Sequence, residues 1–169
     1  MSLHTKLIAA LSVPICLGAT HAALAQAPAP APAPARPSYT TTVNLETAKK
    51  IAVGAMAEAA KNKWSVAVAV VDNHGMLIYY EMMDDTQTAG AHLSIEKART
   101  AAMFRRPSKD FEERVAAGNV SVLGLTGAMP IEGGLPIVVG GKIAGGVGVS
   151  GMAAAQDAVV AKAGLEALK

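Results

Sequence analysis

Hydrophobic residues in the first half of the chain follow helical spacing and then strand spacing. From Leu45 to Asn62 apolar residues recur every three or four positions behind Asn44, a residue type that favours helix starts, and this predicts a first helix. Val66 to Val71 is a continuous run of valine and alanine, which is typical of a buried strand. Because the turn signal DNHG at 72–75 precedes a second strand-like run from Met76 to Met82, a hairpin is predicted.

The second half of the chain continues this alternation of helices and strands. Its predicted elements are a polar loop at 83–91, a helix from Ser94 to Arg105 that Pro107 ends, a short helix that Ser108 caps and that ends near Gly118, strands at 120–125, 135–139 and 143–149, and a last helix from Ala154 to Leu168. The turn Gly140-Gly141 joins the last two strands. The order predicts an α+β domain, an antiparallel sheet of about five strands covered by helices.

The N-terminal segment has the three parts of a secretory signal peptide. Lys6 supplies the positive region, an apolar run extends from Leu7 to Ala19, and Ala23-Leu24-Ala25 matches an A-x-A cleavage site. We therefore expect residues 1–25 to be removed by cleavage after Ala25, and the protein to be periplasmic or secreted. The apolar run is shorter than the roughly 20 residues that span a bilayer comfortably. No second apolar stretch in the sequence reaches that length without glycines or charges, so the mature form is not expected to insert into a membrane.

A proline-rich linker is predicted between the signal peptide and the folded domain. The sequence APAPAPAPARP at 27–37 cannot form a helix or a sheet and favours extended polyproline II. We assign residues 26–42 to this linker and residues 43–169 to one domain, which agrees with the usual size of a single domain.

Composition and charge exclude several classes of protein. The chain has 15 Lys and Arg against 13 Asp and Glu, a formal net charge of +2, and lacks the basic stripe that nucleic-acid binding requires. Its one cysteine, Cys16, lies in the predicted signal peptide, so no intramolecular disulfide can form. No G-x-S-x-G motif is present, which argues against a serine hydrolase of the nucleophile-elbow type.

The glycine-rich sequence GVGVSG at 146–151 matches a dinucleotide-binding pattern, but its context does not fit. That pattern opens a βαβ unit with an acidic residue about 20 positions further on, whereas this chain ends at Lys169 after a single predicted helix. We interpret these glycines as small residues that let a helix pack closely on the sheet.

Two histidines remain after the predicted cleavage, and both are candidate metal ligands. His74 lies in the predicted hairpin turn, and His92 lies just before the second predicted helix, four residues ahead of Glu96. A structural zinc site needs more cysteine and histidine ligands than remain, whereas haem iron takes only one or two axial ligands. The residue inventory thus permits haem. Alternatively, His74 is a solvated turn residue and His92 a surface residue.

Two further features are candidates for binding or catalysis. Arg105 and Arg106 close a predicted helix, where they either stabilise its negative end or clamp a carboxylate such as a haem propionate. Glu132 precedes a glycine pair in a bent loop, where the backbone either approaches a ligand or simply turns.

Several motifs, taken in order, resemble one known family. They are VVDNHG at 70–75, EMMD at 81–84, KARTAAMFRRP at 97–107, GGLPI at 133–137, and GVGVSG at 146–151 followed by QD at 156–157. Over residues 44–169 the chain is similar to the GlcG/HbpS family. The resemblance implies a profilin-like α-β-α fold and a homo-oligomer. It also implies haem binding in secreted members, some of which act beside sensor systems or in haem and iron stress.

The resemblance leads to a first functional hypothesis, a periplasmic or secreted haem-binding protein for haem sensing, scavenging or iron stress. Its sensor or membrane-protein partner is not identified. His92 is the expected axial ligand and His74 the second metal candidate. The other expected haem contacts are Arg105 and Arg106 at the propionates and Met82, Met83 and Phe104 as the apolar shell.

The second hypothesis is an enzyme or binding protein for a small carboxylate or carbonyl compound. In that case His92 and Glu132 are the candidate general acid or base, and Arg105 is the anion clamp. A third alternative is an oligomeric module that binds no ligand. The sequence leaves open whether the protein is an enzyme.

Overall fold

The computed structural model describes residues 35–169. The predicted signal peptide, its cleavage site and most of the predicted linker lie outside the described residues. Within them, no helix combines the length and the hydropathy needed to cross a bilayer.

Within the described residues, the domain has four α-helices and four strands. The helices are α1 (Leu45–Lys61), α2 (Ala89–Phe104), α3 (Lys109–Ala116) and α4 (Ala154–Glu166), and the strands are β1 (Ala67–Val71), β2 (Leu77–Met82), β3 (Gly134–Val139) and β4 (Lys142–Ser150). The sheet has the order β2-β1-β4-β3, and all neighbouring strands are antiparallel. The α+β class and the predicted antiparallel sheet between helices are confirmed.

The two faces of the sheet differ in the size of their side chains. Towards α1 and α4, the valines of β1 and β4 pack against residues such as Ile51 and Val160 in the main core. Towards α2, a smaller cluster joins Ala69 and Val71 of β1 to Ala98 and Ala102 of the helix. Small residues on this face allow α2 to lie very close to the strands.

The glycines of β4 explain this close approach. A Cβ on Gly146 would meet the carbonyl oxygen of Ala98, and one on Gly148 would meet the carbonyl oxygen of Ser94. Backbone lies where a side chain would otherwise project, so α2 and β4 pack backbone against backbone. The interpretation of the G-x-G-x-x-G sequence as a packing motif is confirmed.

A buried ion pair connects α2 to α4 across the end of β4. The Nζ of Lys97 lies 2.8 Å from Oδ2 of Asp157 and also donates to the carbonyl of Val149 at 3.1 Å. The side chains are only 2% and 1% exposed. Burial raises the pKa of the Asp157 carboxyl, and hydrogen bonds from Lys97 and from the Met152 backbone oppose that rise.

The strand predicted at 120–125 is wrong, because that segment is a 3₁₀ helix, Val120–Gly124. Its hydrogen bonds are local, including Val122 N–H to Asn119 and Leu125 N–H to Val122. Val120 and Leu123 are 67% and 62% exposed, so the run of apolar residues does not mark a buried strand. The sheet therefore has four strands and not five.

The second predicted helix begins earlier than its hydrophobic pattern indicates. Instead of starting at Ser94, α2 starts at Ala89, and Thr88 at its N-cap makes no side-chain cap bond. Gly90 lies against the carbonyl oxygen of Ser150, where a Cβ would come within 2.9 Å. A tertiary contact therefore accompanies this helix start, where a local capping signal is absent.

Two shorter segments also differ from the sequence predictions. The hydroxyl of Ser108 does not cap α3: it donates to the carbonyl of Ile131 at 2.6 Å and accepts from Gly134 N–H at 2.9 Å. The last residues assigned to the linker lie along β4, since Ile143 N–H donates to Ser38 and Thr40 N–H donates back to Ile143.

Candidate functional site

The hairpin between β1 and β2 holds the backbone of His74 in place. Oδ1 of Asp72 accepts hydrogen bonds from the backbone N–H groups of His74 and Met76, both at 2.8 Å. Gly75 adopts a positive φ of 84°, and its carbonyl accepts from Nε of Arg99 at 3.0 Å. The predicted turn is thus tied to α2, and His74 is exposed at its tip.

His74 opens onto a cavity of about 340 Å³, which it lines together with Tyr39, Asn73 and Met103. The Tyr39 hydroxyl donates to the Met103 carbonyl at 2.8 Å, and the Asn73 amide donates to the Thr40 carbonyl at 2.8 Å. These bonds hold the N-terminal segment of the domain against the hairpin and α2. The volume lies at the lower end of the range of ligand pockets, about 300–1,000 Å³.

Arg105 adjoins this cavity through Tyr39. It ends α2 in a left-handed conformation, with φ 56° and ψ 43°, which turns its side chain back towards the N-terminal segment. Its guanidinium lies 5.4 Å from the centroid of the Tyr39 ring and donates to the Pro37 carbonyl at 3.2 Å. The site therefore places an imidazole, a thioether and a phenol ring in one neighbourhood, with a cation beside the ring.

Phe104 and Arg106, also predicted as haem contacts, pack against α3. The Phe104 ring lies edge-on to Phe111 with centroids 5.0 Å apart, and the Arg106 guanidinium lies 4.1 Å from the Phe111 centroid. Neither residue lines the cavity at His74.

His92, the expected axial ligand, is exposed near the N-terminal end of α2. It is about 20 Å along the helix axis from Arg105, at 1.5 Å per residue. The structure therefore does not bring His92 and Arg105 into one pocket within a chain. Glu96, on the same face of α2, is paired with Arg99 at 2.6 Å. Residues 35–169 contain no cluster of three or more His, Cys, Asp or Glu suited to a metal ion.

The two predicted methionine contacts lie at the end of β2. Met82 is exposed, and its sulfur accepts a hydrogen bond from the Tyr80 hydroxyl. Met83 packs against the main core, and its N–H donates to the Val66 carbonyl. Neither lines the cavity at His74.

Glu132 lies beside α3 and is already paired. Its carboxylate is 3.1 Å from Nζ of Lys109, and its backbone N–H donates to Glu112. The hydrogen bond to Glu132 raises the pKa of Lys109. Within residues 35–169, Glu132 makes no hydrogen bond or ion pair with His92 or Arg105. The structure therefore does not assemble these three residues into the catalytic group predicted for a small carboxylate substrate.

Sequence reasoning missed three residues of the cavity: Tyr39, Asn73 and Met103. The sequence predictions place Tyr39 in the linker, Asn73 in the hairpin turn and Met103 in the family motif at 97–107, and they assign none of the three to a site. The available signal was an aromatic residue directly after a proline-rich segment. Nothing local in the sequence indicates that this residue reaches α2.

Comparison with known proteins identifies the family. The family model described as haem degrading protein HbpS-like matches residues 43–166. The chain belongs to this family. The resemblance to GlcG and HbpS proteins seen in the sequence motifs is thereby confirmed.

Similar proteins and solved structures agree with this result. GlcG of Escherichia coli strain K12 is 46% identical over 105 residues, 62% of this chain and 78% of that protein. The crystal structure of a double mutant of Streptomyces reticuli HbpS superposes with a TM-score of 0.72 at 30% identity, covering 84% of this chain and 99% of that one. The crystal structure of a PduOC–haem complex shares the fold, with a TM-score of 0.69 at 23% identity over 75% of this chain and 95% of that one.

Proposed function

We propose that the protein binds haem at the cavity beside the β1–β2 turn, with His74 as an axial ligand of the iron. The observation that carries this proposal is that His74 and Met103 line one cavity that Arg105 adjoins. Membership of the HbpS-like family supports haem as the ligand, and PduOC holds haem on the same fold.

The donor set of the cavity is suited to haem. Histidine and methionine are both axial ligands of haem iron in proteins. Tyr39 and Met103 supply apolar surface for a porphyrin, and Arg105 supplies a cation for a propionate carboxylate. Bound haem would supply a redox-active iron. The protein's own residues would hold that iron and control how much solvent reaches it.

We further propose that a second copy of the chain covers the haem. The cavity is small for a porphyrin, and apolar side chains there are exposed: Met103, which lines the cavity, is 43% exposed, and Met76, two residues after His74 in the chain, is 64% exposed. A homo-oligomer that buries this surface would shield the haem from water. Together with the predicted signal peptide, this fits a periplasmic or secreted protein that senses or scavenges haem.

A titration with hemin tests which histidine binds iron. The unaltered protein is expected to give a saturable shift of the Soret band, which His74→Ala abolishes because the axial ligand is lost. His92→Ala removes the other histidine of the domain and should leave the shift intact. A shift lost only in His92→Ala would place the site on α2. A shift unchanged by either substitution would contradict histidine ligation.

The Asp72 carboxylate should affect haem binding without contacting haem. Asp72→Ala removes the acceptor of two backbone hydrogen bonds that shape the turn, and we expect it to weaken hemin binding about tenfold or more. Asp72→Asn keeps Oδ1 and should bind almost as tightly as the unaltered protein. Equal losses in both variants, measured by the same titration, would show that the charge matters and that the turn geometry does not.

A further inference from the structure

A methionine side chain of α2 lies against the β1–β2 turn. The sulfur of Met103 is 3.0 Å from the point that a Cβ on Gly75 would occupy. Gly75 is buried, although its two neighbours in the chain, His74 and Met76, are exposed. The thioether of Met103 therefore lies beside an exposed imidazole and a second exposed thioether, and both of these groups are ligands of soft metal ions.

The turn holds His74 and Met76 close to this sulfur. Oδ1 of Asp72 accepts from the backbone N–H groups of both residues at 2.8 Å, which fixes the backbone on either side of Gly75. Because consecutive Cα atoms are about 3.8 Å apart, the Cα atoms of His74 and Met76 lie within about 9 Å of the Met103 sulfur. Two side chains that meet at one metal ion span such a distance. One imidazole and two thioethers can therefore reach a common point.

These three side chains are open to a ligand from solvent. Met103 is 43% exposed and Met76 is 64% exposed, and His74 lines the same cavity as Met103. Packing accounts for the contact of Met103 with Gly75, since methionine commonly fills irregular gaps. Packing does not account for two accessible methionines beside an exposed histidine. That combination is a set of metal donors and not part of a core.

The charges around the cavity favour an ion of low charge. None of the described residues that line it carries a carboxylate, and Asp72 is engaged with the backbone of the turn. Two cations lie nearby: Arg99, which is paired with Glu96 at 2.6 Å, and Arg105, which lies beside the Tyr39 ring. This environment is unsuited to Ca²⁺ or Mg²⁺, which require oxygen ligands. Neutral thioether and imidazole donors favour Cu(I).

We propose that His74, Met76 and Met103 form a binding site for the soft monovalent ion Cu(I). His74 supplies an imidazole nitrogen and the two methionines supply thioether sulfurs, a donor set that selects Cu(I) over harder cations. The Asp72 carboxylate positions the turn and does not bind the metal. The inference goes beyond haem binding and does not rest on it. Because one imidazole serves both ligands, Cu(I) and haem would compete for the protein.

An anaerobic titration of the full-length, haem-free chain with Cu(I), in competition with the chromophoric chelator bicinchoninate, tests this site. Every sample carries Cys16→Ser, because a cysteine thiolate in the predicted signal peptide would itself bind Cu(I). We expect the protein to hold one Cu(I) per chain against the chelator. Met103→Leu and His74→Ala should each weaken binding about tenfold or more, and Met76→Leu should weaken it severalfold.

Met82→Leu and His92→Ala are the matched controls. Met82 is 46% exposed, close to the value for Met103, and His92 is exposed near the other end of α2. Neither residue lines the cavity, so each substitution should change the affinity for Cu(I) by less than about twofold. Leucine preserves the volume and apolar character of methionine, and circular dichroism establishes that each variant is folded.

Two results would overturn the inference. The first is that the chain with Cys16→Ser as its sole change leaves all Cu(I) with the chelator. The second is that Met103→Leu and Met82→Leu weaken binding equally, which would show that Cu(I) binds surface methionines without a defined site. A hemin titration separates this inference from the haem proposal. Met103→Leu should still bind hemin through His74, and a failure of the unaltered protein to bind hemin would leave the expected Cu(I) results unchanged.

Discussion

Gly148→Val is expected to lower the free energy of unfolding by about 3 kcal/mol or more, or to prevent folding. A Cβ at this position would meet the carbonyl oxygen of Ser94 and the backbone nitrogen of Ala98. Both atoms belong to the backbone of α2, which cannot yield as a flexible side chain can. The helix would have to move off the sheet and would lose its contacts with β1 and β4.

Urea denaturation followed by circular dichroism measures this effect. The matched control is Gly124→Ala in the 3₁₀ helix, where a Cβ has no neighbour within 4 Å and φ is not positive. That change should alter stability by less than about 1 kcal/mol. Similar midpoints for Gly148→Val and the unaltered protein would contradict the backbone-to-backbone packing of α2 on β4.

The second large effect on stability is expected from truncating one member of the buried ion pair between Lys97 and Asp157. Asp157→Ala is expected to cost about 3–5 kcal/mol, because it leaves the ammonium group of Lys97 buried and without its counter-charge. Glu46→Ala breaks an exposed pair with Lys50 and should cost less than about 1 kcal/mol. The same denaturation experiment compares the two.

Removing both charges separates the net contribution of the ion pair to stability from the cost of leaving one charge buried alone. The double variant Lys97→Met, Asp157→Leu leaves no buried charge, and it should regain most of the stability lost in Asp157→Ala. The raised pKa of Asp157 agrees with this expectation, since its cause is the burial of the carboxyl. If the double variant is as unstable as the single one, the hydrogen bonds to Val149 and Met152 contribute more than the charges do.

Local patterns predicted the elements whose signals are strong and short in range. The helix at α1 has an N-cap residue whose side chain accepts from the Thr47 N–H, as expected for Asn44. The turn between β3 and β4 has positive φ at both Gly140 and Gly141, which only glycine adopts easily. Such features depend on neighbouring residues, so they can be seen in the sequence.

Elements without a local signal were predicted less well. The start of α2 has no cap bond, and the apolar run at 120–125 resembles a strand although most of its side chains are exposed. The 120–125 segment forms local hydrogen bonds and stays mostly exposed. At the α2 start, the contact comes from Ser150, which is far away in the chain. Hydrophobic periodicity contains no information about such contacts.

The candidate site shows the same difference between what short-range sequence patterns predict and what long-range contacts decide. His74 and His92 were both identified from the sequence as candidate ligands, and Arg105 as a candidate anion contact. The structure separates His92 from Arg105 along α2 and brings Arg105 to Tyr39 at the His74 cavity. Residues 39, 74 and 103 are distant in sequence, so their meeting is a result of the fold.

The sequence by itself determined the family, the α+β class, most helices and strands, and the small set of candidate ligand residues. These follow from residue types, from spacing and from turns, which act over a few positions. The tertiary structure alone decided which candidates share a cavity and which carboxylates are already paired. Those properties depend on the packing of α2 against the sheet and on the path of residues 36–43, which long-range contacts set.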